Sequence, residues 1–310
     1  MGLARQALLW ASQNQWLAKQ FQTRAFTRRA SRRFLPGEDL ESALSATETL
    51  GAEGIATLIT LLGENVTSAA EAGDVAREYC SVQADIATRS IDCQLSVKPT
   101  QLGLDLSSEI CRQQLETILQ QRTAPDVIVW IDMESAAYVD STLHIVERLS
   151  QTHRNVGVCL QAYLHRTASD VQRLIRLRVP VRLVKGAYRE PASVAIQNKA
   201  DVDRNYASLA EIMLGAAANG EGGYSAFGTH DMSLIARIRD AAGQLDVTKD
   251  SYEFEMLYGI AREGQQSLAN EGYRVRVLVS YGSAWFPWYM RRLAERPANV
   301  WFVVKSLVAR

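Results

Sequence analysis

Eight short runs, most of them apolar and rich in Val, Ile or Leu, alternate with eight helical segments along this chain, and nothing else in the sequence limits its fold so tightly. The runs lie at 54–63, 91–97, 126–132, 156–160, 181–184, 224–228, 252–256 and 274–279. Strands covered on both faces have this composition. Helical segments follow them at 67–88, 107–122, 140–151, 167–177, 203–218, 232–242, 261–270 and 286–296. Ser107 or Ser108 is placed to cap the second helix, Thr167 or Ser169 the fourth, and Pro297 stops the last. Such alternation is the pattern of crossover units in a parallel sheet. Eight units close into a (β/α)8 barrel, for which about 250 residues is the usual size. An open doubly wound sheet is the competing arrangement. Its usual signature is missing, because no Gly-x-Gly-x-x-Gly turn follows a strand and no Walker-type loop occurs.

The chain of 310 residues is 47% hydrophobic, enough to build a large core. Its 34 Lys+Arg balance 34 Asp+Glu, so no basic excess points to nucleic acid. Cys80, Cys93, Cys111 and Cys159 form no Cys-x-x-Cys pair, which fits a reducing cytoplasm better than a disulfide framework. His144, His153, His165 and His230 lack metal-ligand spacing, so no metal is assigned. No apolar run reaches the length of a membrane span. Residues 1–37 hold no acid but carry Arg5, Lys19, Arg24, Arg28, Arg29, Arg32 and Arg33, interleaved with Trp10, Trp16, Phe21 and Phe26. We read 1–50 as a helical arm packed on a barrel domain of 51–310. Peripheral contact with the inner face of the cell membrane is the alternative for this arm.

Barrels of this kind carry their active sites at the carboxyl ends of the strands. There the sequence supplies Glu64, Lys98, Asp132, Gln161, Arg182 with Lys185, Thr229 with His230, and Tyr258. The fifth run says most. Val181-Arg182-Leu183-Val184-Lys185-Gly186-Ala187-Tyr188 begins as a buried strand yet holds Arg182 inside it and Lys185 at its end. A cation in a buried strand needs a partner or a ligand. Gly186 lets a ligand approach the backbone closely. Taken singly, an Arg-x-x-Lys more often snorkels to water, and a lone His230 or Asp132 more often caps a helix. Their convergence on one rim favours a site. In the last helix, adjacent Arg291 and Arg292 suit bidentate binding of a carboxylate or phosphate, although a solvated face is the ordinary reading of such a pair. Together with Lys98 they make a cation-rich rim that wants an anionic substrate, an anionic cofactor, or both. Glu64 is placed to neutralise an arginine when no substrate is bound.

At these positions the chain resembles the proline dehydrogenase family. The resemblance rests on Val181 to Tyr188 with Glu190, on Thr229-His230, on Tyr252-Glu253-Phe254-Glu255-Met256-Leu257-Tyr258-Gly259, and on Tyr289-Met290-Arg291-Arg292-Leu293-Ala294-Glu295. It runs from about 51 to 307 and implies the monofunctional bacterial form. The fold it implies is a distorted (β/α)8 barrel that binds FAD without a Rossmann motif. The reaction it implies is oxidation of L-proline to Δ1-pyrroline-5-carboxylate, by hydride transfer from C5 to flavin N5. Electrons then pass to a membrane quinone, and a pyrroline-5-carboxylate dehydrogenase is the pathway partner on the way to glutamate. Carried over by position, Lys98, Arg291 and Arg292 hold the proline carboxylate, and Asp132 and Arg182 are the catalytic polar residues. Met133, Gln161, Arg182, Lys185, Gly186, Ala187, Thr229 and His230 contact the flavin, and Glu64 forms an ion-pair gate with an arginine. No residue is assigned as proton acceptor for the proline amine.

Three departures stand out. Many members read Ala-Thr-His-Asn where this chain has Gly228-Thr229-His230-Asp231, strand eight often carries a substrate-side tyrosine where this chain has Leu278, and the connection from Gly282 to Arg291 is shorter than in the large bifunctional relatives. Together they leave the ring-side pocket and discrimination against hydroxyproline open. Two other functions compete with the flavoenzyme. One is an aldolase-like barrel with Lys185 as Schiff-base nucleophile, and the other a catalytically silent barrel that binds an amino acid. A homo-oligomer is compatible with each.

Overall fold

The structure is a computed structural model that describes residues 34–121 and 127–286. Helix α1 (Leu40–Ala52) comes first, opened by Asp39, whose carboxylate accepts the Ser42 N–H at 2.8 Å. The barrel follows as β1 (Ala56–Leu61), α2 (Ala69–Arg89), β2 (Cys93–Val97), α3 (Ser108–Gln120), β3 (Val129–Ile131), α4 (Val139–Ser150), β4 (Val156–Gln161) and α5 (Thr167–Leu177). It continues as β5 (Val181–Val184), α6 (Lys199–Ala218), β6 (Ser225–Gly228), α7 (Met232–Gln244), β7 (Tyr252–Leu257), α8 (Arg262–Asn270) and β8 (Arg274–Tyr281). All eight strands pair in parallel in chain order, and β8 closes on β1 from Ala56↔Arg276 to Leu61↔Tyr281. The expected (β/α)8 barrel is present.

Strand side chains alternate between two environments, as a period of two requires. Ile59, Leu95, Val97, Val129, Ile131, Val158, Leu183, Phe227, Phe254 and Val277 join the helices in one continuous apolar core. The opposite set faces the barrel interior, where Leu58, Trp130, Ala226 and Ile128 form a small separate cluster with Leu278 against it. The rest of that interior is polar. At its amino-terminal end Arg276, 1% exposed, donates to both carboxylate oxygens of Glu253, to the Thr57 carbonyl and to Asp92.

Several boundaries differ from the sequence expectation, each for a local reason. Helix α1 stands apart from the arm because Asp39 caps it, and its Ala43, Leu44 and Leu50 pack into the core with Ile55 and Ile59. The remainder of the arm, through residue 33, lies outside the described residues, as does nearly all of the expected last helix. Helix α6 begins at Lys199 rather than 203 because the Asn198 side chain accepts the N–H groups of Ala200 and Asp201. Ser107 caps α3, accepting the Glu109 N–H at 3.1 Å. Neither Thr167 nor Ser169 caps α5; Arg166 holds the cap position without a side-chain bond, and the Thr167 hydroxyl donates to the Gln161 carbonyl at 2.6 Å. No helix among the described residues is long and apolar enough to cross a membrane.

Candidate active site

The carboxyl end of the barrel gathers three of the expected residues into one hydrogen-bonded patch. Asp132 lies just past β3, and its backbone N–H donates to the Val97 carbonyl at 2.8 Å, which fixes the turn. One carboxylate oxygen pairs with Arg182 and accepts the Ser96 hydroxyl at 2.6 Å. The other faces Lys98 Nζ at 3.5 Å, and Lys98 also donates to Thr60 Oγ1 at 3.3 Å. Behind the patch Arg182 donates to Ser96 Oγ at 3.0 Å and to Glu255 Oε2 at 3.2 Å, and its guanidinium lies 5.4 Å from the Trp130 ring centroid. The cation inside a buried strand is thus compensated by two carboxylates, as its 6% side-chain exposure demands.

Charge states follow from these contacts. Burial pushes the Asp132 carboxyl up, but Arg182 and Lys98 outweigh it and hold the group below the ordinary carboxylate range. Burial also works against the charge on Arg182, and Glu255, Cys159 and Asp132 overcome it. Glu255 is raised by burial, with Arg182 pulling the other way. The patch therefore presents fixed cations at the barrel mouth with a deprotonated carboxylate between them, an arrangement suited to orienting an anionic ligand.

The expected cofactor-facing residues occupy the neighbouring arc of the rim. Gln161 Nε2 donates to the carbonyls of Met133 at 2.9 Å and Glu134 at 3.2 Å, while its buried Oε1 has no hydrogen-bond partner. That acceptor fits an imide N–H. Gly186 has φ +115°, and a Cβ there would lie 2.2 Å from the Tyr163 ring, so only glycine gives this close backbone pass. Lys185 Nζ pairs with Asp203 at 2.6 Å and Asp231 at 3.0 Å. Asp231 caps α7 through the Ser233 N–H as well, so the residue that departs from the family's asparagine serves both the helix and the lysine. Burial raises Asp231, and Ser233 and Lys185 pull it far below the ordinary carboxylate range. The Thr229 hydroxyl accepts the Asp231 N–H at 3.1 Å, and His230 Nε2 accepts the Leu257 N–H at 2.9 Å. Ala187 is exposed on the loop beyond Gly186. The unspent Gln161 acceptor and the bare Gly186 backbone suit a flat cofactor with an imide N–H.

Glu64 sits half-buried on the turn after β1. Arg291 and Arg292, its expected partners and the expected carboxylate clamp, lie outside the described residues. Sequence reasoning missed Thr60, Ser96, Glu134, Asp203 and Glu255. Ser96 and Glu255 carried a usable signal, being polar residues at interior-facing positions of otherwise apolar strands. Glu134 is 4% exposed, and its carboxyl is pushed up to about 7 by burial against two donors from Thr100. Glu190, read only as part of a motif, accepts the Ala136 N–H at 2.7 Å and so ties the β5 loop to the β3 loop.

Comparison with known proteins bears on this geometry. The family model described as proline dehydrogenase matches residues 43–305. Proline dehydrogenase 1 of Bacillus subtilis is 40% identical over 308 residues, covering 99% of this chain and 100% of that protein. Proline dehydrogenase of Deinococcus radiodurans is 36% identical over 283 residues, 89% of each chain. The solved structure of proline utilization A from Bdellovibrio bacteriovorus superposes with a TM-score of 0.79 at 23% identity, covering 93% of this chain and 38% of that one, and shares the fold. A match across most of the chain, with relatives of the same length at this identity, makes the chain a member of the proline dehydrogenase family.

Proposed function

We propose that the protein oxidises L-proline to Δ1-pyrroline-5-carboxylate with FAD as bound cofactor and a membrane quinone as electron acceptor. The observation that carries this reading is the convergence of Lys98, Asp132 and Arg182 on one patch of the barrel mouth. Lys98, together with Arg291 and Arg292, binds the proline carboxylate. Three cations facing one carboxylate set the ring's orientation, and orientation lowers the barrier. Asp132 keeps Lys98 and Arg182 in place. Gln161, Lys185, the Gly186 backbone, Ala187, Met133, Thr229 and His230 hold the flavin. FAD, when bound, supplies the acceptor for the hydride leaving proline C5. Arg182 and Lys185 would be the cations available to stabilise the negative charge that the cofactor gains on reduction. Glu64 acts as a gate by pairing with an arginine of the clamp. A pyrroline-5-carboxylate dehydrogenase consumes the product, and the basic start of the chain is suited to bring the enzyme to the quinone at a membrane surface.

The test is turnover. Purified protein supplied with FAD should reduce a redox dye only when L-proline is present, and a cyclic imine should accumulate in step with the dye. Trapping by borohydride with a carbonyl substrate, and no dye reduction, would favour the Schiff-base barrel instead. Ligand binding with neither signal would favour the silent one.

A further inference from the structure

We propose that Glu134 is a positioning residue that holds Lys98 and the Glu64 turn in register at the barrel mouth. The proposal rests on the reading of Lys98 as a carboxylate-binding residue. Both of its carboxylate oxygens are committed to Thr100. Oε2 accepts the Thr100 N–H at 2.8 Å, and Oε1 accepts the Thr100 hydroxyl at 2.7 Å. Thr100 lies in the 3₁₀ turn Pro99–Leu102, which begins directly after Lys98. Lys98 sits at the cap position of that turn and makes no side-chain cap bond. Glu134 therefore performs the capping from the loop after the neighbouring strand β3, satisfying a donor that the turn itself leaves open.

The same threonine anchors the loop after β1, the neighbour of β2 on its other edge. Its hydroxyl accepts the Asn65 N–H at 3.3 Å, and its carbonyl accepts the Val66 N–H at 3.3 Å. Asn65 holds a left-handed backbone with φ +55°, and its amide donates to Asp105 at 2.7 Å. Glu64 immediately precedes it. One buried carboxylate thus fixes the backbone behind Lys98 and, through Thr100, the turn that carries Glu64. Glu134 is itself fixed, because Gln161 donates to its carbonyl at 3.2 Å. The bonds of Lys98 to Asp132 and Thr60 restrain only the tip of its side chain and do not replace this support.

The clasp does not depend on charge. A carboxylate accepts both bonds. A protonated carboxyl accepts the N–H with one oxygen and donates to the hydroxyl with the other. Glutamine can do the same, with its oxygen on the N–H and its amide on the hydroxyl. Methionine matches the length and can do neither.

These differences define the experiment. Steady-state kcat and KM for L-proline are measured with FAD-loaded Lys98→Met, Glu134→Met, Glu134→Gln and Thr100→Val. Glu134→Met should raise KM about tenfold, the order expected for one lost charge-assisted bond, while kcat per bound flavin changes less than about threefold. Glu134→Gln should return KM to within about threefold of the parent. A general loss of folded protein would instead lower apparent activity at constant KM. Should Glu134→Met not fold, Thr100→Val removes the hydroxyl bond alone and should still raise KM by about threefold or more. Lys98→Met without a rise in KM would remove the substrate reading. A rise in Lys98→Met with unchanged KM in both Glu134→Met and Thr100→Val would overturn the positioning role alone. Glu134→Gln as damaging as Glu134→Met would overturn it too, by making charge the operative property.

Discussion

Glu134 binds its proton more tightly in the folded chain than in the unfolded one, because burial penalises its charge more than the Thr100 donors relieve it. The consequence for stability has a definite sign. As pH rises above the ordinary value of 4.5, the unfolded chain releases this proton, and the folded chain keeps it until about 7. The group's contribution is full below that window and declines across it. At about 1.4 kcal/mol per pH unit, the ceiling is about 3 kcal/mol. Glu134→Gln should therefore lose less stability than the parent between about pH 5 and pH 8, as read from denaturant midpoints; parallel pH profiles would contradict this. Asp132 behaves oppositely. Its lowered value keeps its contribution intact above the ordinary carboxylate range, and the contribution is lost only as pH falls through the folded value. Single residues were legible in the sequence where an ionisable group interrupts a strand or ends one, as Lys98, Asp132 and Arg182 do. Glu134 and Asp203 were not, because their importance lies in which backbone or cation the fold brings against them, Thr100 and Lys185, and no local pattern encodes that.

Strands were easier to read than the ends of helices. Most of the strands are runs rich in Val, Ile and Leu between turns, and burial on both faces leaves little else that such a run can form. Helix starts depend on one capping side chain, and two adjacent polar residues compete for that position. Hence α6 begins at Lys199, capped by Asn198, and α5 takes no cap from Thr167. The alternation within strands held a further message. Glu253 and Arg276 face each other on β7 and β8 inside the barrel, each 1% exposed. Arg276 also reaches the Thr57 carbonyl on β1, so one guanidinium joins three strands across the seam where the barrel closes. Arg276→Met leaves the Glu253 carboxylate buried without its partner and should cost about 3–5 kcal/mol. Arg276→Met combined with Glu253→Met should recover a large part of that loss, because a buried pair replaced by apolar residues is close to neutral. Urea unfolding of both variants checks the prediction, and additive losses would refute it.

For the molecule as a whole, the count and spacing of strands dictated a closed barrel, and closure placed the strand ends on one rim. Polar groups scattered over more than a hundred residues of sequence thereby became neighbours, so that Arg182 touches Asp132 and Glu255 at once. Sequence patterning supplied the frame and most of the rim. It did not supply the polar barrel interior, since side chains on one strand reveal little about what faces them from the far wall. This rim is proposed to hold a flavin that L-proline reduces. The most direct measurement is the visible spectrum of the FAD-loaded protein without air. Adding L-proline should bleach the flavin band, and adding a soluble quinone should restore it. A bound flavin that keeps its colour in saturating L-proline would contradict the account.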